Sequence, residues 1–351
     1  ISRQIVWGIR MPVWYDATQS PNLHVTFLDS NQKTVTGTLQ NTCDLFDGPH
    51  SLTTIKNGLQ ELRAPLDAKE TISQKSPGKN FLQETDTFDT WFSSAQWPFT
   101  TLMTGAKGND QRQNDFERFY PTSVMETGYD ILPFWVMRML MISLFKTNQV
   151  PFKDVYLHGL VRDEQGDKMS KSKGNVINPL SVIDEYGADA LRMALVIRSS
   201  AGLDKSVGKS DFKAARNLTN KLWNATRFLI ISQNFDDRVQ KNAPGDEEYF
   251  TKLESVQSEI TRQLDDFKIG LAADTLYDKF WHWFCDECIE HAKDGQISQQ
   301  ALLSGLSVFL KLLHPFIPFV TEAIWQELQA ENLLKIDGEK NHQLLALSSW
   351  K

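Results

Sequence analysis

Three cysteines in 351 residues are too few for a disulfide framework, and their scarcity suits a reducing, cytoplasmic setting. Long apolar runs are missing too. "LMISLF" at 140–145 falls well short of the roughly 18 to 20 residues that a membrane span needs, so no transmembrane segment is expected. Basic charge is not in excess. A formal net charge of −7 excludes a generally basic nucleic-acid binder, and any polyanion must be met by local basic patches. A signal-peptide pattern is lacking, because the chain opens at Ile1 with a polar, strand-like segment. That start suggests a processed product or a piece of a longer protein. Internal repeats and low-complexity tracts are absent as well. What is present, 41% hydrophobic residues, can bury a sizeable core across two or three domains.

The texture changes along the chain. Residues 1–15, "ISRQIVWGIRMPVWY", read as a strand and turn punctuated by Gly8 and Pro12. Residues 16–80 are polar, and "LHVTFLDSNQKTVTGTL" alternates about a turn-like "DSNQ", which predicts a hairpin. From 81 to 200 the pattern is α/β: "DVYLHGLV" predicts a short buried strand, and "ILPFWVMRMLMISLF" a buried helix with Pro133 near its start. "SVIDEYGADALRMALVI" predicts a helix capped by Ser181, with Ile183, Tyr186, Ala190 and Met193 on one face. After about 205 the strands vanish. Apolar stripes run through Ala215, Leu218, Leu222, Ala225 and Leu229, then Leu253, Val256, Ile260, Leu264 and Phe267, then Leu276, Phe280, Trp283 and Phe284. Helices over roughly 299–314 and 319–330 follow, separated by "HPFIP". This is an α/β region followed by an all-α bundle. The boundaries are about 1–200 with a polar, β-rich insertion at 16–80, then 201–335, then a tail at 336–351.

One loop, "GLVRDEQGDKMSKSKGN" at 159–175, gathers lysines, serines and glycines where a strand should give way to a helix. Gly174 permits a sharp turn, and lysines at a strand's carboxyl end are placed to neutralise a departing phosphate. It is no Walker loop, because the G-x-x-x-x-G-K-[ST] spacing does not occur.

"KMSKS" resembles the signature of the class I aminoacyl-tRNA synthetases in every letter. "ISRQIVWGIRMPVWY", "DTFDTWFSSAQWPF", "ETGYDILPFWVMRM", the long block around "KMSKSKGN" and "NKLWNATRF" look like the valyl-tRNA synthetase versions of their blocks, in the family's order. "LLHPFIPFVTEAIWQEL" is similar to the anticodon-binding bundle of the valyl, isoleucyl and leucyl group. The resemblance spans most of 1–15 and 81–330 and leaves 16–80 unaccounted for. It implies the second half of a class I, Rossmann-like catalytic domain plus an anticodon-binding helical bundle.

Such enzymes join valine to ATP as valyl-adenylate and transfer it to tRNA(Val). The protein supplies positioning and charge stabilisation rather than covalent chemistry. On this resemblance the catalytic residues are Lys168, Lys171, Ser170 and Ser172. The lysines stabilise the leaving phosphates, Lys171 above all, and the serines shape the loop. ATP contacts fall to Glu126, Gly128, Asp130, His158, Gly159, Met169 and Lys171. The valine pocket falls to Trp97, Asp130, Ile131 and Trp135, with Ile131 and Trp135 four apart on one helix face. Lys209, Lys213 and Arg216 share a helical side and could track tRNA phosphates, while Trp281, Trp283 and Phe284 are core residues or base stackers. ATP with its accompanying Mg2+ is the expected cofactor, and a monomer in the cytoplasm is expected.

The departures matter equally. No H-x-G-H occurs, so the HIGH half of the site, and the editing domain that precedes "SRQ" in the family, are expected upstream of this chain. The fragment is then expected to be inactive without that upstream half of the same enzyme. Cys43 alone falls in 16–80, so zinc is not expected there, and Cys285 and Cys288 read as helix-face thiols. The chain ends without the heptads of a coiled-coil arm. Alternatives are isoleucyl or leucyl specificity, or a non-catalytic tRNA-binding paralogue. Ile131 and Trp135 after "GYD" favour valine, since the isoleucyl pattern has Gln-His after its Asp.

Overall fold

The computed structural model describes residues 8–103, 112–235, 242–334 and 344–350. It divides into two compact units, Ile1–Ser123 with Ile131–Lys153, and Val124–Asp130 with Asp154–Lys351. The segment 1–7, expected as part of a strand, lies outside the described residues.

In the first unit the strands are β1 (Val13–Asp16), β2 (His24–Leu28), β3 (Thr34–Thr38), β4 (Leu59–Arg63), β5 (Glu70–Ile72) and β6 (Phe81–Gln83). They form two small antiparallel sheets, ordered β5-β1-β6 and β3-β2-β4. The hairpin at "DSNQ" is present. Asp29 Oδ1 accepts the amides of Asn31 and Lys33, and Gln32 takes the left-handed conformation at φ 59°. Alternation along β2 turns Val25 and Phe27 into a core with Leu23, Leu39, Ile55, Leu62 and Leu82.

Helices α1 (Leu39–Thr42), α2 (Leu52–Gly58), α3 (Thr90–Ser94), α4 (Trp97–Met103), α5 (Arg112–Phe119) and α6 (Met137–Thr147) complete this unit. The buried helix expected over "ILPFWVMRMLMISLF" is corrected in two ways. Its start is a 3-10 turn (Tyr129–Ile131) followed by a π-helical turn (Leu132–Val136) holding Pro133. It is also largely exposed: Phe134, Met137, Met141, Leu144 and Phe145 face outward, Phe145 at 92%. Only Val136, Met139 and Ser143 are buried, because the sequence is apolar on both faces and the unit covers one.

In the second unit β7 (Thr122–Gly128) pairs with β8 (Phe152–His158), and β9 (Val161–Arg162) runs parallel to β10 (Lys205–Ser206). The single buried strand expected at "DVYLHGLV" is therefore two, and most β8 side chains are exposed or half-buried. Gly159 breaks the run, since a Cβ there would collide with the Leu203 carbonyl. The expected Ser181 cap is corrected to Asn178, whose side chain accepts the Leu180 amide ahead of Pro179. Gly187, at φ 94°, then splits the expected helix into α7 (Pro179–Tyr186) and α8 (Ala188–Val196).

The bundle comprises α9 (Lys209–Phe235), α10 (Asp246–Asp265), α11 (Ile269–Asp278), a π-helical stretch (Lys279–Cys288), α12 (Ile289–Lys293), α13 (Gln299–Leu313) and α14 (Pro318–Ala330). The apolar stripes meet in one core around Phe280, Phe284 and Phe309. Phe267 leaves its expected stripe. It follows the end of α10 in the left-handed region at φ 58° and is 38% exposed. No described helix is long and apolar enough to cross a membrane.

Cys285 and Cys288 are buried in this core, and burial pushes both thiols up to about 12. A raised thiol pKa means almost no thiolate at pH 8. The native chain should therefore resist iodoacetamide at these positions and label them only on unfolding, as mass spectrometry would show. Rapid native labelling of either would contradict their place in the core.

Candidate active site

The signature loop is built on one aspartate. After Arg162 ends β9, Asp163 turns the chain: its Oδ1 accepts the amides of Gln165 (3.1 Å) and Asp167 (2.7 Å), and Gly166 follows at φ 83°. Lys168 then bridges back to Arg162. Ser170 caps a 3-10 turn at Lys171–Lys173 by accepting the Lys173 amide, and Gly174, at φ 68°, ends it. Asn175 closes the loop. Its Nδ2 donates to Asp163 Oδ2 (2.7 Å) and to the Lys168 carbonyl (3.3 Å), and its Oδ1 accepts the Ser170 amide (2.9 Å). The Asn175 bond, with the two amides, holds the Asp163 carboxyl below its ordinary range. Acid therefore weakens the turn, since these bonds favour the ionised form.

The ammonium groups divide by partner. Lys173 pairs with Asp167 at 3.4 Å. Lys168 and Lys171 are exposed, and neither has an acidic partner among the described residues. An anion arriving at either displaces no carboxylate of the described residues. Met169, Ser170 and Ser172 share this loop, with the two hydroxyls 3.2 Å apart.

Beneath the loop, Arg162 donates to Asp204 through Nε (2.6 Å) and Nη2 (2.5 Å), and to the Gly166 carbonyl through Nη1 (3.2 Å). The Leu160 amide and Arg162 hold the Asp204 carboxyl low, and the Tyr129 hydroxyl, lying on that carboxylate, is pushed up. Tyr129 belongs to "ETGYD", so this block and the loop share one ionic support. Glu126 and His158 are 3.2 Å apart, and His158 Nδ1 meets the Gly159 carbonyl at 2.8 Å. A Cβ at Gly128 would fall 2.7 Å from Asp130 Oδ1 and 3.5 Å from His158 Cε1. The second unit thus assembles Glu126, Gly128, Asp130 and His158 around a position that only glycine leaves open. Gly159 serves packing against Leu203.

Trp97, Ile131 and Trp135 lie in the first unit. Trp97 is 60% exposed, and the Trp135 indole N–H donates to the Ser94 carbonyl at 3.0 Å. The α-helix expected through Ile131 and Trp135 is corrected: Ile131 ends a 3-10 turn and Trp135 sits in a π-helical one.

On α9, Lys209, Lys213 and Arg216 are exposed, as phosphate contacts require. Arg216 also donates to the Glu185 carbonyl at 3.3 Å. Among the expected base stackers, Trp283 and Phe284 are buried core residues. Trp281 is half-buried, stacked on Tyr277 beneath the Lys221 ammonium. Exposed aromatics occur instead at Trp223, Phe228 and Phe319.

Residues 1–207 match the family described as tRNA synthetases class I (I, L, M and V). The chain belongs to the class I tRNA synthetases. Residues 246–351 match the anticodon-binding domain of tRNA ligase. Among curated relatives, the chain is 42% identical over 347 residues to the valine–tRNA ligase of Syntrophotalea carbinolica, covering 94% of this chain and 33% of that one. The valine–tRNA ligase of Prochlorococcus marinus is 36% identical, covering 100% of this chain and 36% of its own length. The chain therefore spans about a third of the length of the ligases it matches. In fold it is similar to LeuRS of Agrobacterium radiobacter, solved as a ternary complex with tRNA and LeuAMS, with a TM-score of 0.64 and 21% identity over 79% of this chain and 34% of that one. Methionyl-tRNA synthetase of Mycobacterium tuberculosis, solved with methionyl-adenylate, gives a TM-score of 0.55 at 19% identity over 79% and 56%. The class I catalytic fold followed by a helical anticodon-binding region is thus established for this synthetase chain.

The motif reading of this synthetase loop passed over Asp163, Asn175, Arg162 and Asp204. One signal was available, the D-x-x-G of an Asx turn at 163–166.

Proposed function

We propose that this chain carries the second-half machinery of a valine–tRNA ligase: ATP-dependent activation of valine, then transfer to tRNA(Val). The observation that carries the proposal is the pair of exposed ammonium groups, Lys168 and Lys171, without acidic partners among the described residues, on a loop built around Asp163. In this reading the valine carboxylate attacks the α-phosphorus of ATP, and the lysines neutralise charge on the departing pyrophosphate. Ser170 and Ser172 shape the turn. Glu126, Gly128, Asp130, His158 and the Met169 backbone hold the adenosine, and Mg2+ arrives with the nucleotide. Trp97, Ile131 and Trp135 provide apolar walls for valine, with Asp130 near its ammonium group. Lys209, Lys213 and Arg216 meet tRNA phosphates on α9. The identity to valine–tRNA ligases over nearly the whole chain supports this choice of amino acid.

The test is amino-acid-dependent ATP–pyrophosphate exchange by the full-length synthetase carrying these residues. Exchange should favour valine over isoleucine by roughly 10- to 100-fold, the range one methylene commands in an apolar pocket. Equal rates, or a preference for isoleucine or leucine, would overturn the specificity assigned here.

A further inference from the structure

Asn175 reaches the loop on both sides of Met169, through the Lys168 carbonyl and the Ser170 amide, while also donating to Asp163. A carboxamide suits the position because it donates and accepts at once. Asp163 is only 8% exposed, and its other oxygen is occupied by the amides of Gln165 and Asp167. The base of the loop is fixed in turn. Arg162 joins the Gly166 carbonyl to Asp204, and Glu164 Oε1 accepts the first amide of α9, that of Lys209, at 2.6 Å. The Glu164 side chain fills the space that a Cβ at Gly208 would need.

We propose that Asp163 and Asn175 are positioning residues for amino-acid activation, a clasp that fixes the backbone at Lys168 and Ser170 and so aims the Lys168 and Lys171 ammonium groups. This rests on the role given to those lysines above. Neither clasp residue touches the substrate. A lysine on a long flexible stem still finds the phosphates of bound ATP when the clasp opens. It no longer waits where charge develops, so the loss falls on the chemical step.

The hydrogen-bond pattern supplies its own test. N175D keeps the acceptor for the Ser170 amide but sets two carboxylates face to face. D163N sets two donors face to face. In the double variant the amide of residue 163 donates to the carboxylate of residue 175, and its oxygen still accepts both turn amides, while the bond to the Lys168 carbonyl stays lost. In the full-length synthetase each single variant should lower kcat of valine-dependent exchange roughly 10- to 100-fold, with KM for ATP changed less than about threefold. Because the bond to the Lys168 carbonyl is not restored, the double variant should recover only in part, roughly threefold or more above either single variant, a pairwise coupling that independent effects would not produce. Amide hydrogen exchange over 168–175 in this chain should speed up in both single variants and slow again in the double. Unchanged exchange in the single variants, normal kcat despite faster exchange, or no recovery in the double would each overturn the clasp. Should Lys171→Ala itself leave activation normal, the reading of the lysines fails, and the exchange pattern still reports on the clasp separately.

Discussion

Lys171→Ala in the full-length synthetase is expected to slow valine-dependent pyrophosphate exchange by roughly 100- to 1,000-fold, the usual cost of removing one preorganised charge stabiliser. The size follows from where the ammonium group stands. Its exposed stem carries no packing to lose, and among the described residues no carboxylate competes for it. The variant should therefore fold normally and fail in chemistry. Lys173→Ala is the internal control. That ammonium is already paired with Asp167 at 3.4 Å, so its loss should cost little. A comparable loss from both variants would mean that the loop contributes only diffuse positive charge.

Phe309→Ala should produce the largest loss of stability, about 3 to 5 kcal/mol in the bundle's unfolding transition. Phe309 is fully buried on α13, and its ring meets three others: Phe280 at 5.5 Å, Trp283 at 6.2 Å and Phe284 at 5.3 Å. Those rings arise from the π-helical stretch at Lys279–Cys288, which fixes their directions and leaves little freedom to close a cavity. Urea unfolding of this chain, followed by helical circular dichroism, measures the effect. A loss below about 1 kcal/mol would show that the core relaxes around the missing ring.

How much of this could be read from sequence depended on whether the feature had a period. The β2–β3 hairpin and the stripes on α9, on α10 and from α11 into the π-helical stretch were legible because burial repeats at two or at about four residues. Burial itself was not legible in α6 and β8. Apolar content shows that a face can be covered, not that it is, and Phe145 at 92% exposure marks the difference. The cap at Asn178 was displaced from Ser181 by Pro179, which fits the first helical position better than any rival.

The site divides the same way. The motif singled out Lys168 and Lys171, which the structure leaves exposed on the loop. The clasp was not legible, because Asp163 and Asn175 lie twelve residues apart across a turn and no spacing rule joins them. Nor was the ionic support from Asp204 through Arg162, whose partners are 42 residues apart. The passage from a 3-10 turn at Ile131 to a π-helical one at Trp135 was not legible either, since the apolar letters carry no sign of it.

The most direct test of the central claim is the single-turnover rate of valyl-adenylate formation, measured against ATP concentration, for the full-length synthetase and its Lys171→Ala variant. The expected result is a maximal rate lower by about 100-fold or more, with the half-saturating ATP concentration changed only a few-fold. An unchanged maximal rate would contradict the role assigned to Lys171 in stabilising the departing pyrophosphate.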